Sequence, residues 1–200
     1  MRITKKLFIT TIALFTIQFA QAQSFTMGSP ISFKLSNGMT VIVAENSGTN
    51  KIYSSFTVNE ETADKNHKAG AQNILNEMLN EIASDAEAGV SFDDKGANLA
   101  SLATNFDKAL SIMSTSIKTP ALTQPSFDKA KQNIIDHLKA QDHYYPEAVN
   151  EMALQQLTLK DVQSFYTRTI TPSKAYLTIA GNITAATAKI LAKKEFGTWK

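Results

Sequence analysis

The sequence contains no cysteine among its 200 residues. It can therefore form no disulfide, even in an oxidising compartment, and zinc sites or nucleophiles that depend on a thiol are excluded. A lipid-modified amino-terminal cysteine is excluded for the same reason. The 43% hydrophobic and 19% charged composition is ordinary for a folded globule, so we expect one sizeable hydrophobic core.

A surplus of basic residues is also missing. The chain carries 20 Lys and Arg against 18 Asp and Glu. Arg2, Lys5 and Lys6 lie in an amino-terminal segment that we expect to be removed, which leaves 17 basic residues against 18 acidic ones. A nearly neutral chain without a basic stripe is a poor partner for nucleic acid, and we exclude that function class.

Long apolar runs are absent except near the amino terminus. The run Leu7–Phe19 follows three basic residues and precedes Ala20-Gln21-Ala22, the small-x-small pattern of a signal peptide cleavage site. The run is short for a bilayer crossing, which takes about 20 apolar residues. We predict that residues 1–22 are a signal peptide and that residues 23–200 form one domain without a membrane span, periplasmic or secreted.

Several motifs of common enzyme classes are missing. We find no glycine-rich phosphate loop, no Ser/His/Asp order, no nucleophile elbow and no internal repeat. His67 precedes the first predicted helix, and His137 and His143 are six residues apart, which would put them on different faces of a continuous helix. We therefore predict surface or loop histidines and not metal ligands.

The elements that are present alternate irregularly between strands and helices. Apolar alternation and an Asn37-Gly38 turn predict strands at Ile31–Lys34, Met39–Val43, Ile52–Val58, Gly89–Phe92, Ala97–Leu102 and Ala175–Ala180. Helical periodicity predicts helices over 70–84, 106–117, 127–138, 146–157, 159–168 and 185–196, with N-caps at Asn105, Ser126, Thr158 and Thr184. The predicted class is α+β, a sheet with helices packed on one side.

The helix over 70–84 comes closest to chemistry. Its apolar positions lie on one side, at Ala71, Ile74, Leu75, Met78, Leu79 and Ile82. Asn73, Asn76 and Glu77 are three and four residues apart on the other side, so their side chains converge on one patch. Such a patch has the geometry that a helix-borne metal site needs, and the alternative is a solvated polar face.

This helix resembles that of the insulinase-like (M16, inverzincin) zinc peptidases, which carries His-x-x-Glu-His. In this chain the box falls on Asn73-Ile74-Leu75-Asn76-Glu77, so both zinc-ligand positions and the general-base position are replaced. A carboxamide is a poor zinc ligand, and Asn76 cannot take a proton from water. The resemblance implies one M16/LuxS-like metallohydrolase half with an antiparallel-rich sheet, and the replacements predict that it binds no zinc and is catalytically inactive.

Three further segments are similar to the same family and extend the resemblance over residues 33–199. They are the hairpin FKLSNGMTVIVAEN, the paired helices of FDKAL…P…SFDKAKQ, and the tail TLKDVQSFYTRTITPSKAYLTIAGNI…FGTW. The resemblance implies Glu151 as the third-ligand position, with Glu147 one turn earlier. Glu77 and Glu151 alone would suit a hard cation better than zinc. A Pro-Tyr-rich loop usual in the family after this point is missing, since Leu157 runs directly into Thr158.

The family closes two such halves over a peptide, which adds to a sheet edge. The resemblance therefore implies that this chain pairs with itself or with an active M16 subunit, and that the strand of Gly89, Val90, Ser91 and Phe92 could take up a peptide. Two other hypotheses stay open. One is a residual metallopeptidase that uses Glu77 and Glu151 with a non-standard ion, and the other is a truncated paralogue without a function of its own.

Overall fold

The computed structural model describes residues 28–59, 68–84 and 89–200. The predicted signal peptide and His67 lie outside these ranges. Within the ranges no helix combines the length and the apolar character that crossing a membrane requires.

Six strands form a single sheet, and all of the predicted strands are found within two residues of their predicted ends. The strands are β1 (Ile31–Lys34), β2 (Thr40–Glu45), β3 (Lys51–Val58), β4 (Val90–Asp93), β5 (Gly96–Leu102) and β6 (Ala175–Gly181). Their order across the sheet is β1-β2-β6-β3-β5-β4. Every neighbouring pair is antiparallel except β2 and β6, which are parallel. The antiparallel-rich sheet is therefore confirmed.

The described residues also form six α-helices, which lie on one side of this sheet. They are α1 (Ala71–Ser84), α2 (Phe106–Lys118), α3 (Gln124–Ala140), α4 (Glu151–Gln156), α5 (Leu159–Thr169) and α6 (Ala185–Phe196). Along β3 the residues alternate in burial, with Ile52, Ser54 and Phe56 buried and Tyr53 50% exposed between them. This alternation follows from the two-residue side-chain period of a strand, and it shows that the helices cover one face.

Two predicted helix starts are wrong. Helix α3 begins after Thr123, whose hydroxyl accepts a hydrogen bond from the Ser126 amide, so Thr123 is the N-cap and Ser126 lies inside the first turn. Pro125 fits in that first turn because amide hydrogens there have no partner within the helix. The helix predicted from residue 146 begins at Glu151, with Asn150 as its N-cap, because residues 146–149 form a turn in which Pro146 accepts from Val149.

One predicted cap is absent and two others are confirmed. The Asn105 side chain makes no capping hydrogen bond to α2. The Thr184 hydroxyl accepts from the Thr187 amide at the start of α6. At the start of α5, Thr158 and Asp161 form the predicted capping box, in which each side chain accepts from the other residue's backbone amide.

The turn between β1 and β2 holds the carboxyl-terminal segment. The Asn37 side-chain amide donates to the carbonyls of Phe196 at 2.8 Å and Trp199 at 2.9 Å. The Phe196 ring stacks on buried Phe56, with centroids 6.2 Å apart and an interplanar angle of 10°. Gly38 follows at a positive φ of 91°, as expected for an Asn-Gly hairpin turn. The turn therefore orders both the first hairpin and the end of the fold.

The carboxylate of Asp161 connects α5 to the segment that precedes α1. Its Oδ2 accepts from the Thr158 amide at 2.9 Å and from Lys68 Nζ at 2.9 Å. Burial by itself raises the pKa of Asp161, but the hydrogen bonds from Lys68 and Thr158 outweigh it and lower the pKa from 3.8 to about 2. The ionised form is therefore the one that stabilises the fold.

We predict that Asp161→Asn lowers the free energy of unfolding at pH 7 by about 1 kcal/mol, since the carboxylate is partly exposed and its contacts are screened. A lowered pKa stabilises the folded state above the usual value of 3.8, and this contribution is lost as the pH falls toward 2. Urea unfolding of both proteins across this range should therefore show the difference shrinking below pH 4. Asp128→Asn, at an exposed position of α3, is the matched control. A difference for Asp161→Asn that is constant with pH would contradict the assignment.

Candidate functional site

Helix α1 presents the predicted metal-box face beside the β4–β5 hairpin. Its apolar side is buried in the core as predicted, apart from Ile82. Ile82 is only partly buried, and Ala83 is buried instead. Asn73, Asn76 and Glu77 are half-buried on the opposite side. The three side chains are therefore accessible and close on the helix surface, as the sequence predicts.

A stripe of three carboxamides on α1 binds the hairpin. Gln72, Asn76 and Asn80 are four residues apart and so lie above one another on the helix. Gln72 Nε2 donates to the Asp94 carbonyl at 2.7 Å, and Asn76 Nδ2 donates to the Asp94 carboxylate at 3.0 Å. Asn76, which the family resemblance assigns to the general-base position, thus directs a hydrogen-bond donor at a carboxylate. A glutamate there would place two negative charges at this distance, which is unfavourable.

The backbone of the hairpin turn places Asp94 opposite this stripe. Asp93 Oδ1 accepts from the amides of Lys95 at 2.8 Å and Gly96 at 3.2 Å, so the turn is closed from within. Gly96 has a φ of 131°, and a Cβ there would lie 2.0 Å from the Phe56 carbonyl oxygen. Glycine is therefore required at this turn, and Asp94 is fixed opposite α1.

Asn80 occupies part of the free edge of the sheet. Strand β4 is the last strand of the sheet, and its Phe92 amide donates to Asn80 Oδ1 at 2.7 Å. In return, Asn80 Nδ2 donates to the Phe92 carbonyl at 2.9 Å. A side-chain amide here makes the same pair of hydrogen bonds that the backbone of an added strand would make.

Farther along this edge, the outward backbone groups of Val90 have no hydrogen-bond partner among residues 28–59, 68–84 and 89–200. The Gly89 carbonyl accepts from Ala100 of β5, whereas both backbone groups of Phe92 point away from β5. Because the direction alternates along an antiparallel strand, Val90 shares the outward direction of Phe92. The predicted peptide edge of Gly89, Val90, Ser91 and Phe92 is thus a sheet edge with one position held by Asn80.

Glu77 lies near the loop that follows α3. Its carboxylate makes no hydrogen bond or ion pair with other described residues. Burial raises the pKa of Tyr145, and the negative charges of Glu77, Asp142 and Asp94 raise it further. The loop therefore brings the Tyr145 hydroxyl within electrostatic range of the acidic end of the box.

Glu151 is directed toward α3. It is the first residue of α4, and its carboxylate is half-exposed. Oε1 lies 3.7 Å from Lys139 Nζ and accepts from Gln155 at 3.3 Å. Within the described part of the chain, none of its polar contacts reaches Asn73, Asn76 or Glu77. The structure therefore joins the three box residues on α1 but gives Glu151 other partners.

His137 and His143 lie close together in the structure, although their spacing in the sequence predicts different faces of a helix. Helix α3 ends at Ala140, and Gln141 adopts a left-handed φ of 54°, which turns the chain back. The rings of His137 and His143 are consequently 5.9 Å apart, and His143 lies 4.8 Å from the Tyr145 ring. His137 Nδ1 also lies 2.8 Å from Asp142 Oδ1. Because this proximity needs one left-handed residue, the six-residue spacing alone cannot predict it.

The box residues do not fit the zinc ion that the family resemblance implies. Zinc prefers imidazole and thiolate ligands, whereas the box offers two carboxamides and one carboxylate. Asn76 Nδ2 donates to the Asp94 carboxylate, so this carboxamide is held by the hairpin. Among residues 28–59, 68–84 and 89–200, no three His, Asp or Glu side chains are grouped so that they could hold a metal ion.

Residues 156–200 match the sequence profile described as the peptidase M16 inactive domain. No curated protein sequence matches the chain. The fold is similar to a protease from Helicobacter pylori, with a TM-score of 0.73 and 16% identity over 88% of this chain and 51% of that one. It is also similar to the first half of the periplasmic protease PqqL from Escherichia coli, with a TM-score of 0.72 and 12% identity over 86% and 46%.

A third similar structure is a peptidase M16 inactive domain from Pseudomonas fluorescens, with a TM-score of 0.70 and 15% identity over 83% of this chain and 50% of that one. The chain spans about half the length of these proteins. At these identities the likeness establishes the fold, and the predicted resemblance to an M16-like peptidase half is confirmed.

We predict that Asn80→Ala lowers the free energy of unfolding by about 1–2 kcal/mol, because it leaves both backbone groups of Phe92 without their partner. The Phe92 amide should then exchange with solvent deuterium faster than in the wild type, as an unpaired edge amide does. Asn73→Ala is the matched control on the same helix, since the Asn73 side chain makes no hydrogen bond to the described residues. Unchanged Phe92 exchange in Asn80→Ala would show that the carboxamide does not protect the edge.

Proposed function

We propose that the protein is an exported, non-catalytic M16-like half that binds extended peptides at the edge of β4. The observation that carries this proposal is the contact between Asn76 and Asp94. At the position of the general base, this chain has an amide donor that binds the hairpin, and an amide cannot accept a proton near neutral pH. The match of residues 156–200 to an inactive domain supports the same conclusion.

The edge of β4 supports peptide binding by strand addition. An extended peptide could pair with the outward N–H and C=O of Val90 without any rearrangement. To continue past Phe92, the peptide would have to replace the two hydrogen bonds of Asn80 with its own. Backbone pairing of this kind gives affinity with little dependence on peptide sequence.

Exposed side chains on the other face of the sheet support the subunit role. Tyr53, Leu102 and Tyr176 are exposed large side chains on the face that the helices leave uncovered. Exposed apolar side chains that share one face mark a contact surface for another protein. The partner that we propose for this face is a second copy of this chain or an active M16 subunit. The description of PqqL as periplasmic supports a periplasmic or secreted location for this proposal.

The first test is peptide binding without cleavage. Short unstructured peptides labelled with fluorescein should bind saturably in fluorescence anisotropy and remain intact by mass spectrometry, with or without a chelator. Asn80→Ala should bind about 5- to 30-fold more tightly, since the peptide no longer has to displace a carboxamide pair worth about 1–2 kcal/mol. Asn73→Ala should bind like the wild type.

Two outcomes would contradict this function. The absence of saturable binding to both wild type and Asn80→Ala would exclude the edge as a peptide site. Cleavage that a chelator abolishes, together with a stoichiometric metal ion in the purified protein, would support the residual metallopeptidase with Glu77 and Glu151 instead.

The second test addresses the partner. Size-exclusion chromatography with light scattering should show an oligomer of this chain, or a complex when it is mixed with an M16 protein of the same genome. Tyr53→Ser should weaken that association, because it removes apolar area from the uncovered face. A stable monomer in both runs would count against the subunit role and leave the peptide-binding role to stand on the first test.

A further inference from the structure

A cavity of about 210 Å³ lies directly beneath the carboxamide stripe. It lies between α1, β3, the β4–β5 turn and the carboxyl ends of α2 and α5, and it is partly open to the surface. Its walls are mainly apolar and include Phe56, Leu75, Leu79, Ile117, Phe165 and Ile170. An apolar cavity of about 150 Å³ is already large enough to bind benzene, so this one has room for a substituted ring.

One buried hydroxyl group, that of Thr169, belongs to the wall of the cavity. Thr169 lines the cavity at the last position of α5 and is 7% exposed. Its Oγ1 is buried and has no hydrogen-bond partner among the described residues. A buried hydroxyl without a partner is unfavourable, and rotation about the Thr169 Cα–Cβ bond would turn it toward the cavity that this residue lines.

From this combination we propose that the cavity binds a small molecule with a single aromatic ring and one hydroxyl group. The ring would contact the aliphatic and aromatic walls, and the hydroxyl would hydrogen-bond with Thr169. Apolar walls with very few placed polar groups are typical of small-molecule sites. This cavity shares Phe92 and the hairpin turn with the peptide edge, but its existence does not depend on the proposed function.

The rim of the cavity explains how such a molecule would enter. Gln72 and Asn76 stand on one side of the rim and Asp94 on the other, and the two hydrogen bonds between them cross it. Both bonds lie at the exposed surface, where water can replace them. Opening the turn of the hairpin away from α1 would therefore admit a ligand without unfolding the core.

The test compares 4-fluorophenol with 4-fluorotoluene, which differ only in a hydroxyl or a methyl group. Fluorine NMR of each compound with the purified full chain should show saturable binding, with 4-fluorophenol binding more tightly. Thr169→Val keeps the side-chain shape and removes the hydroxyl. It should weaken 4-fluorophenol by about five- to tenfold and leave 4-fluorotoluene unchanged, because only the first ligand loses a hydrogen bond.

A second variant tests the location. Ala97 lines the cavity and is buried, so Ala97→Leu should fill part of the space and reduce the binding of both compounds. Thr169→Val should unfold at the same or a higher temperature than the wild type, which removes misfolding as a cause of weaker binding. Saturation by neither compound would overturn the proposal. Equal loss of both compounds in Thr169→Val would overturn the role of the hydroxyl.

Discussion

The hydrogen bonds between the carboxamide stripe of α1 and the β4–β5 hairpin determine what this face of the protein can do. Gln72, Asn76 and Asn80 each bind the backbone or side chain of the hairpin. The contacts of Gln72 and Asn80 join neutral carboxamides to backbone groups, so neither of them includes a group that changes charge with pH. Together these three side chains hold the last strand of the sheet against α1.

This arrangement connects three features that would otherwise be independent. The stripe fixes the last strand of the sheet, restricts its free edge at Phe92 and forms one side of the rim of the cavity. Loosening the hairpin would alter the edge and the cavity together, because both share Asp94 and its neighbours. The site is therefore better understood as one docked hairpin than as a damaged metal centre.

The sequence predicts those parts of the fold that local patterns determine. The strands follow from alternation, α1 from its apolar spacing, and the start of α5 from the Thr158 and Asp161 pair. Local patterns are ambiguous where two solutions fit the same residues. Thr123 and Ser126 are both good N-caps on either side of Pro125, and Pro146 is as compatible with a turn as with a helix start. Asn105 has the right residue type for a cap but makes no capping bond.

Tertiary placement is the part of the site that the sequence does not predict. The approach of His137 to His143 depends on the backbone of Gln141, and the partner of Asp94 depends on how the hairpin meets α1. The cavity lies between residues of five separate regions of the chain, so no single segment contains a signal for it. Glu151 shows the same limit, because its match to a family position gives no information on the direction of its carboxylate.

The position of β6 has a consequence for synthesis on the ribosome. Strand β6 lies between β2 and β3 and pairs with both of them, although about 120 residues separate it from β3 in the chain. Until Ala175–Gly181 has been made, the nascent chain therefore holds two unjoined fragments of sheet, each with an unpaired inner edge. Such edges promote association with other chains. A general chaperone that shields them would protect this protein until β6 has been made.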